Sequence, residues 1–197
     1  MMYNSRKGFI SMDIKRIIAI SDTHSFHHDV FLPEYQEGDI LVHAGDITHK
    51  GELSILTNFS QWLHSLPYEK ILVVAGNHDW CFVHQYHNSK NILERDEGKV
   101  IYLQDDVVEI GGLKFYGSPY QPTFNNWAFN LDRGDEIKRK WSIIPDDVDI
   151  LITHGPAKGH VGGILRTVMS GRQMIEDLGC QDLMDRIVDI NPIYHIT

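Results

Sequence analysis

Four short apolar runs, Ile17-Ile18-Ala19-Ile20, Ile40-Leu41-Val42, Ile71-Leu72-Val73-Val74 and Ile150-Leu151-Ile152, are each followed within a few residues by side chains able to hold a metal ion. Continuous rather than alternating hydrophobicity is what a strand buried on both faces requires, with helices covering the sheet. The four runs are therefore expected to be central strands of an α/β fold. The first is followed by Asp22-Thr23-His24, the second by Gly45-Asp46, the third by Gly76-Asn77-His78-Asp79 and the fourth by Thr153-His154-Gly155-Pro156. In open α/β sheets ligands bind beyond the carboxyl ends of the strands, so the four endings are expected to meet in one site.

The residue types narrow what that site can hold. Asp22 and His24 stand two apart on an extended segment, so both side chains point to the same side. Carboxylates, imidazoles and one amide oxygen suit Mn, Fe, Zn or Co better than an iron-sulfur cluster or a structural zinc. A carboxylate between two groups of ligands can bridge two ions, and Asp46 is the natural bridge. Glycines at 45, 76 and 155 suit tight turns near an ion or phosphate, although ordinary loop glycines would read the same way.

Helical spacing of Leu53, Leu56, Phe59, Leu63 and Leu66 predicts a helix over Glu52 to Leu66, ended by Pro67. Val100 to Leu103, Val107 to Ile110 and Leu113 to Tyr116 are predicted as strands, the last two joined as a hairpin through Gly111-Gly112. A late helix is expected over about Gln173 to Ile190, then a buried strand over Ile193 to Ile196. Met1 to Ser11 reads as a loose extension and residues 12–197 as one domain. Eighteen Lys and Arg against 27 Asp and Glu give a formal charge of -9, which disfavours nucleic acid and anionic membranes as partners. Cys81 and Cys180 are too few and too far apart for a disulfide framework, and no apolar run approaches a membrane span. The expected setting is cytoplasmic; oligomeric state is left open.

The ordered pieces Asp22-Thr23-His24, Gly45-Asp46, Gly76-Asn77-His78-Asp79 and Thr153-His154-Gly155 resemble the calcineurin-like metallophosphoesterase superfamily over nearly the whole chain. Gly117-Ser118-Pro119, Trp127-Ala128-Phe129-Asn130 and Gly159-His160 resemble its metallophosphoesterase-domain-containing subgroup, whose relatives include class III cyclic-nucleotide phosphodiesterases. The resemblance implies a four-layer α/β/β/α sandwich with mixed sheets. It implies two metal ions, one held by Asp22, His24 and Asp46, the other by Asp46, Asn77 and His154. Asn77 and His78 would contact the phosphate, with His78 as the catalytic residue assisting the leaving oxygen. The implied activity is hydrolysis of small phosphate esters by metal-bound hydroxide, with phosphodiesters favoured and nucleotides among the candidates.

One part of the pattern departs. The family follows its last strand with a Gly-His-x-His segment, and this sequence stops at Thr197 without it. The expectation is a chain that is truncated there, or one that works with an incomplete ligand set. The alternative from another class is a binding or scaffold protein with weak or lost chemistry. His195 could stand in as a substitute ligand, but its place inside the strand reads as a core or lead-in residue instead. His43 and His49 read equally as partners orienting Asp46 or as satisfied loop histidines, and His160 as facing phosphate or metal or, the favoured reading, as structural or supporting. Trp127 and Phe129 read as a pocket wall or as loop packing, and Cys81 as a small buried hydrophobe. His27, His28, His64, His84 and His87 are expected to be ordinary surface or loop residues.

Overall fold

The computed structural model describes residues 12–96, 98–167 and 173–197, so the extension expected over Met1 to Ser11 lies outside the described residues. Strands β1 (Arg16–Ile20), β2 (Asp39–His43), β3 (Lys70–Val73) and β4 (Val100–Tyr102) form a parallel sheet in that order. A second sheet, ordered β12-β9-β6-β5, is mixed. In it β5 (Asp106–Ile110) and β6 (Leu113–Ser118) form the antiparallel hairpin, while β9 (Ile150–Thr153) runs parallel to β6 and to β12 (Tyr194–Ile196).

Successive side chains of a strand point to opposite faces, and both faces of these strands are used. Ile40, Val42, Leu72 and Val74 meet Ile110, Phe115, Ile150 and Ile152 between the sheets. Leu41, Ile71 and Val73 face the other way, against Leu56, Phe59 and Leu63 of α1 (Leu53–Ser65). Phe82 of α2 (Cys81–His84) and Leu93 of α3 (Tyr86–Leu93) join that layer. Tyr116 and Leu151, on the outer face of the second sheet, pack on Ile137 and Trp141 of α4 (Asp135–Trp141) and on Leu183 and Ile190 of α5 (Gln181–Ile190). The result is the four-layer α/β/β/α order, with the predicted first helix in place. Its last residue before Pro67, Leu66, is extended at ψ 154°, as the proline ring demands of its predecessor.

Several expectations need correction. The four apolar runs do not share one sheet, because β9 lies in the second. Strand β1 is an edge strand rather than a central one: it pairs with β2 alone and exposes Ala19. The segment over Gln173 to Asp177 is not helical. It forms β11 (Gln173–Asp177), antiparallel to β10 (Gly163–Thr167) in an exposed ribbon, and the helix begins only at Gln181. Strand β12 is an edge strand that begins at exposed Tyr194 and follows exposed Ile193, not a buried one. A two-residue pair, β7 (Gln121–Pro122) with β8 (Asn130–Leu131), closes the loop between β6 and α4. Among the described residues no helix is long and apolar enough to cross a membrane.

Candidate metal centre

The exits of β1 and β2 are tied backbone to backbone. Asp22 N–H donates to the Gly45 carbonyl at 2.8 Å, His24 N–H to Asp46 at 3.0 Å, and Ser25 N–H to Ile47 at 2.9 Å. This pairing turns Asp22, His24 and Asp46 into left-handed backbone, at φ of 53°, 40° and 60°. Such strain costs about 1–3 kcal/mol per residue and persists where surrounding structure enforces it.

Asp79 supplies part of that enforcement. Fully buried, its carboxylate accepts from Gly76 N–H at 2.8 Å, Thr48 N–H at 2.8 Å, Ile47 N–H at 3.1 Å and the Thr48 hydroxyl at 2.8 Å. It thereby fastens the exit of β3 to that of β2. Burial pushes its carboxyl above the usual range, opposed by those backbone donors. The sequence placed Asp79 in a motif without showing that it would bind the protein's own backbone.

Gly45 and Gly76 allow the exits to touch. A Cβ on Gly76 would lie 2.2 Å from Asp46 Oδ1, and one on Gly45, at φ 112°, would lie 2.6 Å from His154 Nδ1. Two imidazoles are oriented by carbonyls. The Nδ1 of His24 lies 3.2 Å from the Thr48 oxygen and that of His154 lies 3.0 Å from the Ala44 oxygen. A proton on Nδ1 satisfies each carbonyl and turns the Nε2 lone pair toward the site.

Asp46 stands at the middle. His24 Nε2 is 3.5 Å from its Oδ2, and His154 Nε2 is 3.4 Å from its Oδ1 and 3.1 Å from Asn77 Oδ1. Among the described residues two groups have ligand atoms all within 4.8 Å of one another: His24 with Asp46 and His78, and Asp22 with Asp46 and His154. The structure therefore brings Asp22, His24, Asp46, Asn77, His78 and His154 together. Its grouping sets Asp22 beside His154 rather than beside His24, and His78 beside His24; Asp46 is common to both groups. Oxygen and imidazole donors without thiolate fit borderline or hard cations such as Mn, Fe, Zn or Co.

His78 is held three ways. Its backbone N–H donates to Asp46 Oδ1 at 2.9 Å, its Nδ1 lies 2.7 Å from the His49 carbonyl, and its Nε2 is 3.9 Å from Asp46 Oδ2. The His49 ring stacks on that of His24 with centroids 5.5 Å apart. Two pockets meet at Ser21 and Asp22. One, of about 430 Å³, runs past Asn77, His154, Phe124 and Val161; the other, of about 540 Å³, runs past His24, Phe26, His49 and His78.

The remaining histidines divide differently from expectation. His43 is a fully buried β2 residue, its Nε2 3.0 Å from the Thr23 hydroxyl, and burial pushes its pKa down to about 3. His195 sits 2.8 Å from the Thr153 hydroxyl, with its pKa pushed down by burial to about 4, and His160 lies edge-on to it. His27, expected on the surface, is buried against Phe59 and Trp62, because the turn after His24 folds back onto α1. The His64 side chain is likewise covered and bonds the Ser60 carbonyl. Cys81 is a buried free thiol, its pKa raised by burial to about 12. Phe129 is buried against Tyr120, so packing rather than a pocket wall accounts for it.

Residues 15–190 match the calcineurin-like phosphoesterase family. The chain is 36% identical over 205 residues to Metallophosphoesterase domain-containing protein 1 of Homo sapiens and to the Mus musculus protein of that name. Each alignment covers 92% of this chain and 59% of the relative. A UPF0046 protein of Caenorhabditis elegans is 34% identical over 192 residues, covering 92% of this chain and 61% of that protein. The chain thus spans about three-fifths of the length of these curated relatives.

Proposed function

The chain belongs to the calcineurin-like phosphoesterase family, and from that premise we propose that it hydrolyses small phosphate esters, phosphodiesters in particular, over two cations that share Asp46. The observation that carries this reading is the placement of His24 and His154 at opposite oxygens of one carboxylate. Asp22, His24, Asp46, Asn77 and His154 would hold the pair, within one domain spanning 12–197. When bound, two such cations lower the pKa of water toward neutrality and offset charge growing on the phosphoryl oxygens.

The chain's own residues do the rest. Asn77 and His78, on one turn, contact the phosphate. With Nδ1–H held by the His49 carbonyl, the doubly protonated His78 ring can give its Nε2 proton to the departing ester oxygen and is left as the neutral Nδ1–H tautomer, a step worth about 10²–10⁴-fold in such reactions. A diester carries two substituents, and the pockets on either side of Ser21 and Asp22 offer one place for each. Their volumes suit groups up to about the size of a nucleoside. The buried free thiols of Cys81 and Cys180 fit a reducing, cytoplasmic setting.

The test combines elemental analysis with turnover of chromogenic phosphodiesters and monoesters at added Mn. Asp46→Ala is expected to lose bound metal and at least about 10³-fold in rate. His78→Ala is expected to keep its metal and to slow substrates with poor leaving groups most. Parental turnover by Asp46→Ala would sink the reading. Metal-free protein without turnover would favour a scaffold role instead.

A further inference from the structure

Trp127 has no evident duty in the core. It is half-buried on the exposed stretch between β7 and β8, and it is not among the described residues lining either pocket. Its indole instead lies on the His78 ring, with centroids 4.0 Å apart and planes 33° from parallel. The two rings are thus in close, tilted contact, and a side chain packed against the imidazole limits its swing.

The loop is built to keep it there. Ala128 N–H donates to the Asn77 carbonyl at 3.0 Å, fastening this loop to the turn that carries His78. Gln121 N–H donates to the Phe129 carbonyl at 3.1 Å, and Phe129 takes a φ of 58°, unusual for an aromatic residue. Ala128 and Phe129 point inward and are buried, leaving Trp127 turned outward over the imidazole. The His24 ring also meets His78 edge-on, with centroids 4.7 Å apart.

We propose that Trp127 is the positioning residue for His78: it holds the ring so that Nδ1 keeps the His49 carbonyl and Nε2 stays aimed at the space beside Asp46. A backbone acceptor alone fixes one atom of the ring and leaves the plane free to swing about that contact. The indole face removes that freedom. Small errors in the placement of a proton donor cost large factors in rate, so the effect falls on the catalytic step. This rests on the reading of His78 as the proton donor to the leaving oxygen.

The experiment uses Trp127→Ala, Trp127→Phe and His78→Ala in the full chain, with two readouts. The first is nitrogen-detected NMR of the His78 ring in metal-free protein at mildly alkaline pH. Wild type is expected to show one tautomer, protonated at Nδ1, and Trp127→Ala a mixture of the two, with Trp127→Phe restoring the single form. The second is turnover of a chromogenic phosphodiester at saturating Mn. Trp127→Ala is expected to lower kcat about tenfold or more with KM and bound metal unchanged, and to add nothing in a His78→Ala background. If Trp127→Ala keeps the single tautomer and the parental kcat while His78→Ala is slow, the inference is overturned and the proposed function stands. If His78→Ala itself turns over normally, the role of His78 fails and the inference with it.

Discussion

Gly76 and Asp79 act on the same few ångströms in opposite ways, one by lacking a side chain and the other by spending its carboxylate on backbone. Adding a methyl group at Gly76 drives it into Asp46, which has little room to retreat because its oxygens face His24, His154 and the His78 N–H. Gly76→Ala is therefore expected to lower stability by about 1–3 kcal/mol and to weaken metal retention sharply. Urea unfolding and elemental analysis check the two effects. The clustered Asp22, His24, Asp46, Asn77 and His154 are legible in the sequence as candidates because each sits just beyond an apolar run. The glycines were legible only as turn residues, since the closeness of Gly76 to Asp46 depends on two exits 30 positions apart in the chain. His43 and His27 were not legible, because a histidine's burial depends on what folds over it, here Thr23 and α1.

Strands announced their existence better than their place. A continuous apolar run reports that both faces are covered but not by which layer, so Ile150 to Ile152 looked like a companion of the first three runs while belonging to the second sheet. Gln173 to Asp177 was misread because Gln-Met-Ile-Glu-Asp suits a helix, and only pairing with Gly163 to Thr167 makes it a strand. The base of that ribbon is fastened by one carboxylate. Asp177 accepts from Gly179 N–H at 2.8 Å and Gly159 N–H at 2.6 Å, bonds that hold it below the usual carboxylate range, while Arg133 donates to the Leu178 and Gly179 carbonyls. Val161, Gly162 and Leu178, beside this lock, wall the 430 Å³ pocket. Asp177→Asn is expected to speed amide exchange about tenfold across 159–162 and 178–179, consistent with losing bonds to a charged acceptor. Hydrogen-exchange mass spectrometry reads this directly, and α1 serves as the unaffected reference.

Across the whole molecule, acid should act through the buried imidazoles. His43 and His195 take protons in the unfolded chain near their ordinary pKa of about 6.5, but in the folded protein only near about 3 and about 4. Between those limits the unfolded state binds more protons, so stability is highest above about pH 6.5 and falls as the pH drops. Each such histidine contributes up to about 1.4 kcal/mol per unit. Urea midpoints measured between about pH 7 and about pH 5 should decline, and a flat profile would contradict the burial of these rings.

His154 arrives from β9 in one sheet, whereas Asp22, His24, Asp46 and Asn77 follow strands of the other. Of the two donor groups, His24 with Asp46 and His78 comes from one sheet alone, whereas Asp22 with Asp46 and His154 spans the seam. With the sheets apart the chain would keep the first group and lose His154 from the second. Binding at the second group would therefore draw on the closed sandwich, so a cation held there would act as a rivet between the halves and as a proofreader of their joining.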